Sequence, residues 1–155
     1  MKVTLALIAI LLCQILLWPD FGRAEGALAL GLPAGGPYTT GYVFGMATGE
    51  NDQTAAMQLC QGIDKSNNKI PTGNVTKAQQ ACKIVAVFNN QCVAVASNGD
   101  QTTPASGVGW ATAATVDAAK TQALSQCEKW PGKTGPSCTI QASICDDSSA
   151  NPQSN

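Results

Sequence analysis

Six of the seven cysteines, a few carboxylates and the lysines are the side chains of this sequence that could do chemistry, and no histidine accompanies them. Histidine titrates near neutral pH without special tuning. Its absence excludes Ser-His-Asp and Cys-His machinery, imidazole zinc sites and the usual proton shuttle. The six cysteines, Cys60, Cys82, Cys92, Cys127, Cys138 and Cys145, fall three and three along the chain. None of their spacings matches the short C-x-x-C type of a zinc ribbon, so no metal is expected. An even count of well-spread cysteines behind an export signal points instead to disulfides, which leaves no spare thiol for catalysis.

Other groupings have the spelling of a motif without its context. Gly132-Lys133-Thr134 matches the end of a phosphate-binding loop, but the glycine required five positions before Gly132 is Cys127, and the segment follows a helix instead of opening one. Gly107-Val108-Gly109 lacks the third glycine and the following helix of a dinucleotide fingerprint, so close strand packing explains it better. Ser66-Asn67-Asn68-Lys69 has the S-x-x-K spelling of serine acyl-enzymes, yet it lies in a polar stretch where the lysine stays charged. Carboxylates are the remaining acid/base groups. Asp52 and Asp117 fall at helix starts, where they compensate the dipole, and Asp146-Asp147 fall in the tail. No catalytic and no cofactor-binding residue is assigned, and no cofactor is expected.

The N-terminus reads as a secretory signal over residues 1–24. Lys2 supplies the charge, Val3 to Trp18 is apolar except for Thr4 and Gln14, and Gly22-Arg23-Ala24 offers small residues for cleavage. The apolar run is short for a bilayer span and has no basic stop-transfer flank. Cys13 lies inside it. The mature chain from Glu25 has seven Lys, no Arg and nine Asp or Glu, a formal charge of about −2. That balance excludes a nucleic-acid stripe, and stable membrane insertion after cleavage is not expected.

The elements that must position these residues come in two similar sets, over about 26–91 and 92–145. Ala27 to Leu30 is a strand, followed by a Gly/Pro turn from Gly31 to Gly36 and a second strand from Gly41 to Met46. Asn51 or Asp52 caps a helix to about Ile63, whose stripe is Ala56, Leu59, Cys60 and Ile63. Residues 61–81 read as an inserted loop, and Cys82 opens the strand through Phe88. The order recurs with Cys92 to Ala96, a turn-rich stretch from Ser97 to Ser106, and Gly107 to Ala111, which places Trp110 near the position of Phe44. Thr115 caps the second helix, with Val116, Ala119, Ala123 and Cys127 as its stripe. Cys138 to Cys145 is the last strand, with Thr139, Gln141 and Ser143 on a wet face. The expected fold is α+β: one domain over 25–145 of two β-β-α-β repeats, disulfide-stapled, with helices on antiparallel sheet. The polar residues 146–155 are expected to be a disordered tail.

Tyr42-Val43-Phe44-Gly45, Ala55 through Cys60, and Cys82-Lys83-Ile84-Val85-Ala86, followed by Gly109-Trp110, Ala123 through Cys127 and Cys138-Thr139-Ile140, resemble the bacterial exported family called domain of unknown function 4189. The resemblance covers roughly Gly26 to Cys145. It implies secretion and disulfides, and it carries no activity or catalytic residue. The long first-half loop and the absence of a tryptophan-rich first strand depart from the pattern.

Six cysteines allow fifteen connectivities. The repeat favours Cys60–Cys82 and Cys127–Cys138 as staples from helix end to following strand, with Cys92–Cys145 as a link between halves. The function that fits is a secreted or periplasmic binding protein, an inhibitor or effector acting on another protein through its loops. The alternatives are a small envelope hydrolase using carboxylates and a structural envelope component. Phe44, Trp110 and Trp130 are expected in the core, with an exposed partner anchor as the other role.

Overall fold

A computed structural model describes residues 26–33, 41–49, 51–63, 76–99 and 107–146. The expected signal segment, the Ser66-Asn67-Asn68-Lys69 stretch and the tail beyond Asp146 lie outside the described residues. The elements run β1 (Gly26–Gly31), β2 (Val43–Thr48), α1 (Asp52–Cys60), α2 (Lys77–Gln80), β3 (Cys82–Phe88), β4 (Cys92–Ser97), β5 (Val108–Ala113), α3 (Val116–Glu128) and β6 (Thr139–Cys145). The fold is α+β. Two antiparallel three-stranded sheets have the orders β2-β1-β3 and β5-β4-β6, so each keeps its first strand in the middle.

The two middle strands explain the layering. Every residue of β1 and of β4 is buried, because each strand is covered on both faces. What alternates along them is size, not polarity. Leu28, Leu30, Val93 and Val95 enter one core with Tyr42, Phe88 and Val108, which lies between the sheets. Ala27 and Ala29 turn the other way, toward Ala56 and Cys60 of α1. Cys92, Ala94 and Ala96 turn toward Ala119, Ala123 and Cys127 of α3. The result is helix, sheet, sheet, helix, with large side chains in the centre and small ones under each helix.

The small residues are there because each helix comes down onto strand backbone. A Cβ on Gly45 of β2 would overlap the Ala56 carbonyl oxygen and crowd the Cys60 amide nitrogen at 2.5 Å. A Cβ on Gly109 of β5 would overlap the Ala123 carbonyl oxygen and the Cys127 amide nitrogen. The two glycines therefore occupy corresponding places, with Gly45 opposite Ala29 and Gly109 opposite Ala96. This register equates Trp110 with Met46, and Val108 with Phe44. Trp110, expected near the position of Phe44, thus stands two residues beyond it.

Both sheets also carry an irregularity at corresponding places, between Leu28 and Ala29 on β1 against β3, and between Val95 and Ala96 on β4 against β6. The partner strand has one extra residue there, Val85 or Gln141. An extra residue reverses the facing of everything beyond it. Ile140 accordingly packs under α3 while Ile144, of the same sequence parity, packs in the central core. The simple alternation expected for this strand is broken at that point: Thr139 is exposed, whereas Gln141 and Ser143 are half-buried.

Several local features differ from the sequence expectation. Helix α1 stops at Cys60 instead of Ile63 because Gly62, at φ 74°, closes it. The Gly62 amide donates to Leu59 O (3.1 Å) and the Ile63 amide to Gln58 O (2.8 Å), the paired bonds of a glycine C-cap. Leu59, placed on the buried stripe, is 43% exposed. Asn51 does not cap α1 with its side chain. It takes a left-handed conformation (φ 62°), which asparagine tolerates, in the tight turn after Gly49. Thr115 does cap α3, accepting from the Ala118 amide at 3.3 Å. Within the stretch read as loop, Thr76 and Gln79 form a reciprocal capping box that starts α2.

Replacing Gly45 or Gly109 by alanine is expected to destabilise the fold by about 1–3 kcal/mol each, since helix backbone must retreat. Denaturant unfolding of each variant checks this; an unchanged midpoint for both would contradict the close packing.

Candidate functional site

Strand register sorts the connections into two ends of the molecule. At one end lie Gly31, Val43 and Cys82 of the first sheet, and Ser97, Val108 and Thr139 of the second. The four long connections (32–42, 61–76, 98–107 and 129–138) leave from and return to this end, called here the loop pole. The other end has short links: Gly49 to Asn51, Asn89 to Gln91, and Ala114 to Thr115. Residues 34–40, 64–75 and 100–106, which include most of the loops expected to recognise a partner, lie outside the described residues.

The described base of the loop pole is a joint between the two halves. Tyr42, fully buried, places its hydroxyl 2.8 Å from Ser97 Oγ and 3.3 Å from the Gly99 carbonyl. Ser97 also donates to the Gly99 carbonyl and accepts from the Gly99 amide (3.2 Å). Behind it, the Tyr42 ring stacks with Phe44 at 6.2 Å between centroids. Asn98 ties two connections together: its Oδ1 accepts from the Gly107 amide (3.0 Å) and its Nδ2 donates to the Thr134 carbonyl (2.8 Å).

Two disulfides brace the same pole. Cys60 bonds Cys82 and Cys127 bonds Cys138, each joining a helix end to the start of the following strand. The third, Cys92–Cys145, joins residues directly opposite one another in β4 and β6. It therefore lies within the second sheet, at the end away from the loops. This corrects the expected role of that bond as a link between halves; Cys92 opens the second sheet, so both its partners are on one side. The halves are joined by the central core and by Tyr42 with Ser97 and Gly99.

The three described aspartates lie at the starts of α1 and α3 and just past the end of β6. Asp52 at the start of α1 is 7% exposed, and its Oδ2 has no hydrogen-bond partner among the described residues. Asp117 is exposed in the first turn of α3. Asp146, assigned to the tail from sequence, is fully buried and extends the β4–β6 ladder past the disulfide. Its Oδ2 accepts from the Gln91 amide (3.1 Å), and its own amide donates to Gln91 O (3.1 Å). All three lie at the pole opposite the loops.

Gly132-Lys133-Thr134 forms part of the turn after α3. Lys133 pairs with Glu128 at 3.0 Å, and Glu128 Oε1 accepts from the Cys138 amide at 2.6 Å. The Cys138 amide, and then the Lys133 ammonium, hold the Glu128 carboxyl below its usual range. Phe44, Trp110 and Trp130 are half-buried against the central core. Among the described residues, no cluster of three or more His, Cys, Asp or Glu could hold a metal ion, and no helix is long and apolar enough to cross a membrane.

Sequence reasoning missed Tyr42, Ser97, Asn98, Glu128 and Asp146 as structural contacts. The i, i+2 spacing of Tyr42, Phe44 and Met46 was the available signal for Tyr42. Nothing in the pattern around Ser97 or Asp146 marks a pairing some 55 residues away.

A disulfide-stapled, two-sheet α+β domain of this kind fits a compartment outside the reducing cytosol. The chain belongs to the family described as Domain of unknown function (DUF4189), whose model matches residues 26–145. No curated protein and no solved structure matches it.

Two outcomes are expected from these contacts. Tyr42→Phe and Ser97→Ala should each cost about 1 kcal/mol or somewhat more, and the double variant less than their sum, because both remove one buried hydrogen bond. Strict additivity in denaturant unfolding would refute the joint. Glu128 titrates lower in the folded chain than in the unfolded one, so its contribution is present above its ordinary value of 4.5 and is lost as pH falls below that. Glu128→Gln should therefore lower the melting temperature at neutral pH, with the gap to the parent closing in strong acid; a gap independent of pH would contradict this.

Proposed function

We propose that this chain is an exported binding protein that recognises another protein through its loop pole, as an inhibitor or effector. The observation that supports this most is the convergence of all four long connections on one end, where their roots are held by two disulfides and by the Tyr42–Ser97–Gly99 joint. Loops on a rigid scaffold are where recognition is commonly placed, since they vary without disturbing the core. A fixed base also reduces the ordering cost of association.

The test is affinity capture on the immobilised chain from Glu25, using envelope and culture-supernatant extracts, beside a variant whose residues 100–106 are replaced by a Gly/Ser stretch of equal length. A specific protein is expected on the parent and should be lost from the loop variant, while a variant altered at Gln122, away from that pole, keeps it. Retention of the same proteins by all three, or of none by the parent, would overturn the reading.

A further inference from the structure

Charge is sorted along the strand axis. Nine charged residues lie within the described segments. Lys77, Lys83, Lys129 and Lys133 belong to the loop pole, together with Glu128, which pairs with Lys133. Asp52, Asp117 and Asp146 belong to the opposite pole, with Lys120 in the second turn of α3. Lys77, Lys83 and Lys129 are exposed. The C-termini of α1 and α3 also point to the loop pole and contribute about half a negative charge each, so the described part of that end remains positive by about two charges.

Distance keeps the two signs apart. A six-residue strand spans about 20 Å, whereas the Debye length is about 8 Å at physiological ionic strength. A partner approaching the described lysines of this end therefore meets their positive field with little influence from the acidic far end, although the chain as a whole carries a formal charge of −1.

We infer that the described face of α2 and the start of β3 at this end docks on an acidic surface of a partner protein, with Lys77 and Lys83 as principal charge contacts; this rests on the binding reading above and supplies its chemistry. Three observations favour a protein over other polyanions. The residues from Glu25 onward contain no arginine, so the planar fork that grips phosphate is missing and lysine acts as a hydrated point charge. Leu59 and Val87 are the exposed large apolar side chains of the described residues, and Val87 lies toward the far end of β3, so among the described residues a bilayer would find a single apolar anchor at the loop pole. The negative total charge disfavours wrapping by a long nucleic acid. Rim charges of this type act chiefly on association rate and orientation.

Immobilised poly-L-glutamate serves as the probe, with anionic phosphatidylglycerol vesicles and duplex DNA as parallel arms, at low and physiological salt. The chain from Glu25 is expected to bind polyglutamate at low salt and to be released as salt rises. Lys77→Glu/Lys83→Glu should slow association by about tenfold or more, while Lys120→Glu leaves it unchanged. Circular dichroism of each variant confirms folding, and Lys77→Gln/Lys83→Gln gives a milder second series. Equal binding by the charge-reversed variant, or preference for vesicles or DNA over polyglutamate, would overturn the inference. A captured partner lost on loop replacement yet indifferent to Lys77→Glu/Lys83→Glu would overturn it while leaving the binding reading intact. Absence of any captured partner would defeat that reading instead.

Discussion

The closest constraint in this molecule is the contact of helix backbone with strand backbone at Gly45 and Gly109. A methyl group at either position would occupy space already taken by the helix. Once the helices sit that low, the sheet surface beneath them can hold only small side chains, and alanine is what β1 and β4 present there. Alanine buries little apolar area, so each helix–sheet layer contributes modest hydrophobic stabilisation. The cysteines compensate at the same contacts. Cys60 and Cys127 lie on the buried faces of the helices and bond to the strands that follow, each bridge worth about 2–4 kcal/mol.

Confining small residues to the outer layers leaves the large ones to the centre. Leucine, valine and phenylalanine meet between the sheets, and this core is shared by both halves. Its two ends are finished differently. At the far end, Gly26 makes room for the Phe88 ring, whereas the corresponding pair in the second sheet is Val93 with Ile144. The same place in the core is thus filled in two ways, by one large ring in the first sheet and by two aliphatic side chains in the second. The second sheet then adds Cys92–Cys145 one step further on, where β3 is followed by Asn89. The two sheets share strand order, helix placement and bulge position, but not these finishing contacts.

The legible parts of the sequence were those governed by local period and residue size. The apolar runs of β1 and β4, the cap at Thr115 and the cysteines at helix ends could be read because each is a short-range rule. Boundaries were less legible. Apolar spacing alone carries α1 on to Ile63, whereas Gly62 ends it, as a glycine in that place usually does. The capping box at Thr76 and Gln79 has a known spelling, but it sits in a polar stretch with no apolar period to mark a helix. Trp110 lies two positions beyond the place of Phe44, because the residue under constraint is the neighbouring glycine and not the aromatic ring. The contacts of Tyr42 and Asp146 depend on pairing across roughly a third of the chain, and no local period encodes that.

The position of the polar contacts bears on how the loop pole can work. Tyr42 is fully buried with its hydroxyl hydrogen-bonded, and Asn98 closes its own connection through Gly107 and bonds Thr134 of the last one. Leaving such groups unpaired would cost more than forming the bonds gains, so they strongly favour one relative placement of the halves. The two local disulfides fix the remaining roots. Every long connection is therefore held at its base by a bond that does not involve its own central residues. Under that arrangement the central residues can differ in sequence and length at little cost to the core, because loop entropy rises only slowly with length.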